Sequence, residues 1–126
     1  MTNLETYKKD IEYYIQHQDY TLVEALEQIY DDYSNQKRIY PKSMDDISTM
    51  VKQDIRTLEW LASGVDKQKR NNYQKHLKRI KELTKQECMS TGLWVTFREE
   101  TGRDLYECEE DYDIEVLEWL LEEVKC

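Results

Sequence analysis

Only three glycines and one proline occur among the 126 residues: Gly64, Gly92, Gly102 and Pro41. No glycine-rich phosphate loop, neither GxGxxG nor a Walker spacing, can be written from them. Two histidines, His17 and His76, leave little for imidazole-based metal or acid–base chemistry. The three cysteines, Cys88, Cys108 and Cys126, are odd in number and show no CxxC spacing. Free thiols in a reducing compartment are the expectation. The first twenty residues hold no apolar run of signal-peptide length, and nowhere does a run approach the roughly 18 residues of a spanning helix. A cytoplasmic protein without a membrane role is therefore expected. HExxH and EF-hand spacings are also absent, so no metal, cofactor or enzymatic activity is expected.

What is present is charge and aromatic mass. Charged residues make up 36% and aromatics 11%, with ten tyrosines and three tryptophans. The aromatic load opposes disorder, and the length suits one domain with a real core. The net charge of −9 is divided along the chain. Residues 1–65 hold 12 acids and 7 bases, residues 66–87 hold 3 acids and 8 bases, and residues 99–126 hold 12 acids and 2 bases. The domain thus reads as an acidic helical part (1–64), a basic helix (65–87), and an acidic hairpin with a C-terminal helix (88–126). Such a division speaks of partners more than of fold.

The fold class expected is mainly α (α+β), with about five helices and one β-hairpin near residues 93–108, before the C-terminal helix. Helix starts are marked by Thr2 with Glu5 and by Thr21 with Glu24, both capping-box spacings. The first helix is expected over residues 3–17, and the second from Thr21. The third begins near Ser43, with Ile47, Met50, Val51, Ile55, Leu58 and Leu61 as its buried stripe and Gly64 as a left-handed cap. A long helix over 66–87 has a thin stripe of Tyr73, Leu77, Ile80 and Leu83, which suits a peripheral helix or one completed by a partner chain. Leu93, Val95 and Phe97 then alternate with Trp94, Thr96 and Arg98, a period of two that predicts a strand. Gly102 suits the hairpin loop, and Leu105 to Cys108 the return strand. The last helix is expected over residues 113–124.

Four features point to a binding surface. Trp119 falls among Glu115, Glu118, Glu122 and Glu123, away from the leucines of its helix. Trp60 falls opposite the apolar stripe of the third helix. Tryptophan is enriched at binding hot spots. An acidic run, Glu99, Glu100, Asp104, Glu107, Glu109, Glu110, Asp111, Asp113, Glu115 and Glu118, exceeds what helix capping needs. Carboxylates spread over a rigid surface can imitate nucleic-acid phosphates. Lys67, Arg70, Lys78, Lys81 and Lys85 form a row that can follow a phosphate backbone or bind an acidic partner. Asp54 falls within the third helix's apolar stripe, where a carboxylate needs a partner or sits at the stripe's edge.

In size, acidity, tyrosine content and missing catalytic motifs, the chain resembles small acidic proteins of phages and mobile elements, the anti-CRISPR and DNA-mimic inhibitors. The resemblance implies a non-catalytic binder that blocks the nucleic-acid site of a basic-surfaced enzyme such as a CRISPR effector. The expected partner-binding residues are Trp60, Glu99, Glu100, Asp104, Glu107, Glu109, Glu110, Asp111, Glu115, Glu118, Trp119 and Glu122. Two alternatives stand beside it. One is a self-associating helical protein, a homodimer joined through the basic helix and the acidic tail. The other is direct nucleic-acid binding by the face of Lys67, Arg70, Lys78, Lys81 and Lys85.

Overall fold

A computed structural model describes residues 2–64, 71–103 and 110–124. Its described residues are mainly helical: α1 (Asn3–Thr6), α2 (Lys8–His17), α3 (Leu22–Tyr33), α4 (Ile47–Ala62), α5 (Asn72–Gln86), α6 (Met89–Thr101) and α7 (Glu110–Leu121). No sheet forms among them; two isolated antiparallel bridges join Thr2 to Gly64 and Asn71 to Glu123.

Local chemistry sets the starts. The Thr2 hydroxyl accepts from the Glu5 amide while the Glu5 carboxylate accepts from the Thr2 amide, and Thr21 with Glu24 repeats the arrangement. Asn71 and Gln74 form a third box ahead of α5. Each satisfies amide donors that a helix start otherwise leaves open. Asp46 caps α4 through the Thr49 amide, so that helix starts at Ile47 rather than near Ser43. The expected first helix is split at Tyr7, whose backbone leaves helical values. The expected 66–87 helix starts only at Asn72, because Asn71 is extended. Residues 65–70 lie outside the described part.

The expected hairpin is corrected. Leu93 to Arg98 belong to α6, and the expected return strand, Leu105 to Cys108, lies outside the described residues. The alternation misleads because α6 is buried on more than one side. Met89, Leu93 and Phe97 follow one helical row, Gly92 and Thr96 the next, and Trp94 is buried as well. A helix whose buried side is this broad gives only a weak amphipathic period to read. Gly102 has φ 71° and ends α6 as a left-handed cap, its amide donating to the Arg98 carbonyl at 2.9 Å. Its backbone freedom serves a helix end rather than a hairpin loop. Gly64 also has positive φ, 140°, but it bridges Thr2 beyond the helix end, while Ser63 caps α4.

The helix α5 packs on α4, α6 and α7. Its thin stripe is thus covered within the chain, while its other face is exposed. Tyr73 and Tyr30 are fully buried, and the Tyr73 hydroxyl donates to the Leu58 carbonyl on α4. Burial, with the nearby Glu59 charge second, pushes the Tyr73 phenol well above its ordinary range, so it remains a donor. On the other side α2 lies along α3 and α7. Tyr14 donates to Asp32 at 2.6 Å and Tyr33 to Asp10 at 2.8 Å, crossing between α2 and α3 in both directions.

Two predictions follow from these contacts. A Cβ on Gly92 would lie 2.5 Å from Thr84 Oγ1 and 2.6 Å from the Ile80 carbonyl oxygen. Gly92→Ala gains about 1 kcal/mol of helix propensity. It loses about 1–3 kcal/mol to overpacking, since the Ile80 backbone cannot turn aside. Thermal unfolding should show a Tm lowered by a few degrees; an unchanged or raised Tm would contradict the close α5–α6 contact.

The hydrogen bond to Asp32, followed by partial burial and the Asp32 charge, raises Tyr14 from 10.0 to about 12. The unfolded chain therefore releases this proton first, and stability falls as pH rises from about 10 to about 12. Ultraviolet titration of wild type against Tyr14→Phe should assign a late-titrating phenol to Tyr14, and Asp32→Asn should return it toward the ordinary value.

Candidate functional site

The sequence-predicted binding residues divide between a concave surface beside α7 and positions elsewhere. On α7, Val116, Leu117 and Leu120 face the core. Trp119 is half-buried, not an isolated indole on a solvated face. The His76 ring stacks on it at 5.6 Å and 19°, and Phe97 meets it edge-on at 5.5 Å and 83°. Its backbone is fixed as well: Asn72 Nδ2 donates to the Trp119 carbonyl at 2.8 Å, and the Asn72 amide to the Glu122 carbonyl at 3.0 Å. The start of α5 thus anchors the end of α7.

Around Trp119 lies a concavity of about 340 Å³. Phe97, Thr101 and Arg103 form one wall, and Glu115, Glu118 and Glu122 the other. Four expected binding residues, Trp119, Glu115, Glu118 and Glu122, therefore meet at one place. Glu99 and Glu100 are exposed on the last turns of α6. Glu99 pairs with Arg79 at 3.1 Å, Glu100 approaches His76 Nε2 at 3.8 Å, and Glu115 pairs with Arg103. Glu118 and Glu122 have no basic side chain in ion-pair contact among the described residues. Part of the acidic density is thus neutralised inside the fold, and the carboxylates of Glu118 and Glu122 remain open.

The other expected residues are placed differently. Asp111 is exposed in the first turn of α7. Asp104, Glu107 and Glu109 lie outside the described residues, as does the side chain of Glu110. Trp60 does not line the concavity; it stacks on Tyr7 at 5.9 Å and meets Tyr30 edge-on at 5.8 Å, tying α4 to the α1–α2 junction and to α3. Of the basic row, Lys67 and Arg70 lie outside the described residues. Lys78 and Lys85 are exposed, while Lys81 is engaged by Glu59 at 3.4 Å.

The sequence reading missed a second concavity, about 430 Å³, where the 34–46 connection meets the start of α4. Ile47, Met50 and Val51 were expected in the core, yet Ile47 is 61% and Met50 37% exposed. With Tyr40 at 72%, they make an apolar surface that no described element covers. The signal was the length of the stripe, whose first turn stays exposed at Ile47 and Met50. Asp54 and Glu27 are half-buried beside this surface. Burial raises both carboxyls; Arg38 opposes the shift at each, and the Met89 amide opposes it at Asp54.

Among the described residues no group of three or more His, Cys, Asp or Glu could hold a metal ion, and no helix is long and apolar enough to cross a membrane. No protein-family model, curated protein or solved structure is significantly similar to this chain.

The raised Asp54 carboxyl carries a sign. Its charged form is disfavoured in the folded chain, so its contribution to stability declines as pH rises through its folded pKa. Asp54→Asn should raise Tm near neutral pH and make little difference at about pH 3, where both states are protonated. Thermal melts of the two proteins across that range test this; equal Tm values throughout would show that Asp54 is solvated at no cost.

Proposed function

We propose that the chain is a non-catalytic binding protein that inhibits a nucleic-acid-handling enzyme, of the anti-CRISPR or DNA-mimic kind. In this reading a basic surface of the target docks on the α6–α7 concavity, and the nucleic acid is excluded. The observation that carries it is the meeting of Trp119 with Glu115, Glu118 and Glu122 around one concave surface. An aromatic floor rimmed by carboxylates suits an arginine or lysine, which can pack its stem on the ring and bring its charge to the rim. Glu118 and Glu122 are held by no internal cation among the described residues, so docking a cation there breaks no existing pair. The internal pairing of Glu99 and Glu115 favours capture of a few basic side chains over imitation of a long phosphate track. The basic row of α5 supports nucleic-acid binding less well, because Lys81 and the adjoining Arg79 are engaged by Glu59 and Glu99.

Glu118→Lys with Glu122→Lys reverses two exposed charges and should leave the fold intact. Immobilised wild-type chain should capture a nuclease, polymerase or CRISPR effector from host lysate at low salt. The double variant should bind that target at least about tenfold more weakly, and high salt should weaken the wild-type complex in the same direction. Capture indifferent to both salt and charge reversal would exclude the acidic-docking reading.

A further inference from the structure

The second concavity shares no residue with the acidic one and belongs to a different part of the molecule. Its volume of about 430 Å³ lies in the range of sites that take a ligand or a partner's side chains. The mouth is apolar, with Tyr40, Ile47 and Met50 exposed. An apolar mouth open to the surface suits a chain segment lying across it better than a compact molecule held inside it.

The polar side of the cleft is carboxylic. Glu27 projects from α3, Asp54 from α4, and Glu87 stands at the α5–α6 junction. The cleft's cation, Arg38, is already committed: its Nε donates to Asp31 at 2.9 Å and its Nη2 to the Glu27 carbonyl at 3.2 Å. Burial holds the Glu27 and Asp54 carboxyls above their ordinary range despite Arg38. Three lining carboxylates, Glu27, Asp54 and Glu87, thus face one lining guanidinium, and the cleft carries excess negative charge. A cation brought by an occupant would offset that excess, and an anion would worsen it.

We propose that this cleft docks a segment of a partner protein in which apolar side chains flank a lysine or arginine. The apolar side chains lie on Tyr40, Ile47 and Met50, and the cation meets Glu27 and Asp54. Cys88, exposed at the cleft's edge, is a built-in reporter of occupancy.

The probe is a synthetic amphipathic helical peptide of about four turns, with leucines at i, i+3, i+4 and i+7 and one lysine beside them. Its counterpart carries glutamate in place of the lysine. The readout is the iodoacetamide alkylation rate of Cys88, followed on its own tryptic peptide by mass spectrometry. The lysine peptide in excess should slow Cys88 alkylation by about tenfold, and the glutamate peptide should not. Glu27→Gln with Asp54→Asn should make the two peptides equivalent. Met50→Glu, a change at a partly exposed side chain, should abolish protection while circular dichroism stays that of wild type. Protection by neither peptide in the folded wild type would overturn the proposal. So would equal protection by both, which would mean apolar burial without charge recognition. Protection that grows with chain concentration and no peptide would overturn it too, making a second copy the occupant.

Discussion

The close contact between α5 and α6 at Gly92 is the constraint on which both concave surfaces rest. With no side chain at this position, α6 lies directly against the Ile80 carbonyl and the Thr84 hydroxyl. That depth sets where the rest of α6 falls. At its C-terminal end Phe97 meets the edge of Trp119, and Glu99 reaches Arg79. At its N-terminal end the Met89 amide faces Asp54, and Cys88 sits at the rim of the apolar cleft. A helix held further out by one methyl group would loosen both ends at once, because a rigid rod moves as a whole.

Electrostatics divides the two surfaces by a single physical difference, solvation. The carboxylates beside Trp119 are either paired, as Glu115 is with Arg103, or open to water, as Glu118 and Glu122 are. They keep their charge cheaply and can steer a basic partner at long range. Glu27 and Asp54 are half-buried against apolar walls, where charge is costly and acts at short range. On the proposed readings, the first surface would favour fast, salt-sensitive encounter, and the second close contact by a segment that carries both hydrocarbon and a cation.

Much of the local structure was legible from residue chemistry. The Thr2–Glu5 and Thr21–Glu24 boxes mark helix starts where the structure has them, since capping depends on residues three apart and on nothing distant. The meeting of Trp119 with Glu115, Glu118 and Glu122 was readable because they are neighbours along α7 and the residue that follows it. The α6 segment was not legible: the alternation of Leu93, Val95 and Phe97 is the pattern of a strand with one wet face, and it is also what a helix buried on several sides can carry. The surroundings of Trp60 were invisible for a related reason, since its partners Tyr7 and Tyr30 come from other helices.

By itself, then, the sequence determined what short-range chemistry controls: helical class, several helix starts, the divided charge and the want of a recognisable catalytic motif. It marked Gly102 as a turn residue, but the left-handed conformation there ends a helix rather than turning the expected hairpin. Tertiary structure alone decided that the stripe of α5 is covered within the chain, that α6 is a helix, which carboxylates are neutralised by distant bases, and that the first turn of α4 is left bare. These outcomes depend on which surfaces meet across many residues of chain. A hydrophobic pattern states that a face seeks cover, but only packing determines whether another element arrives to provide it.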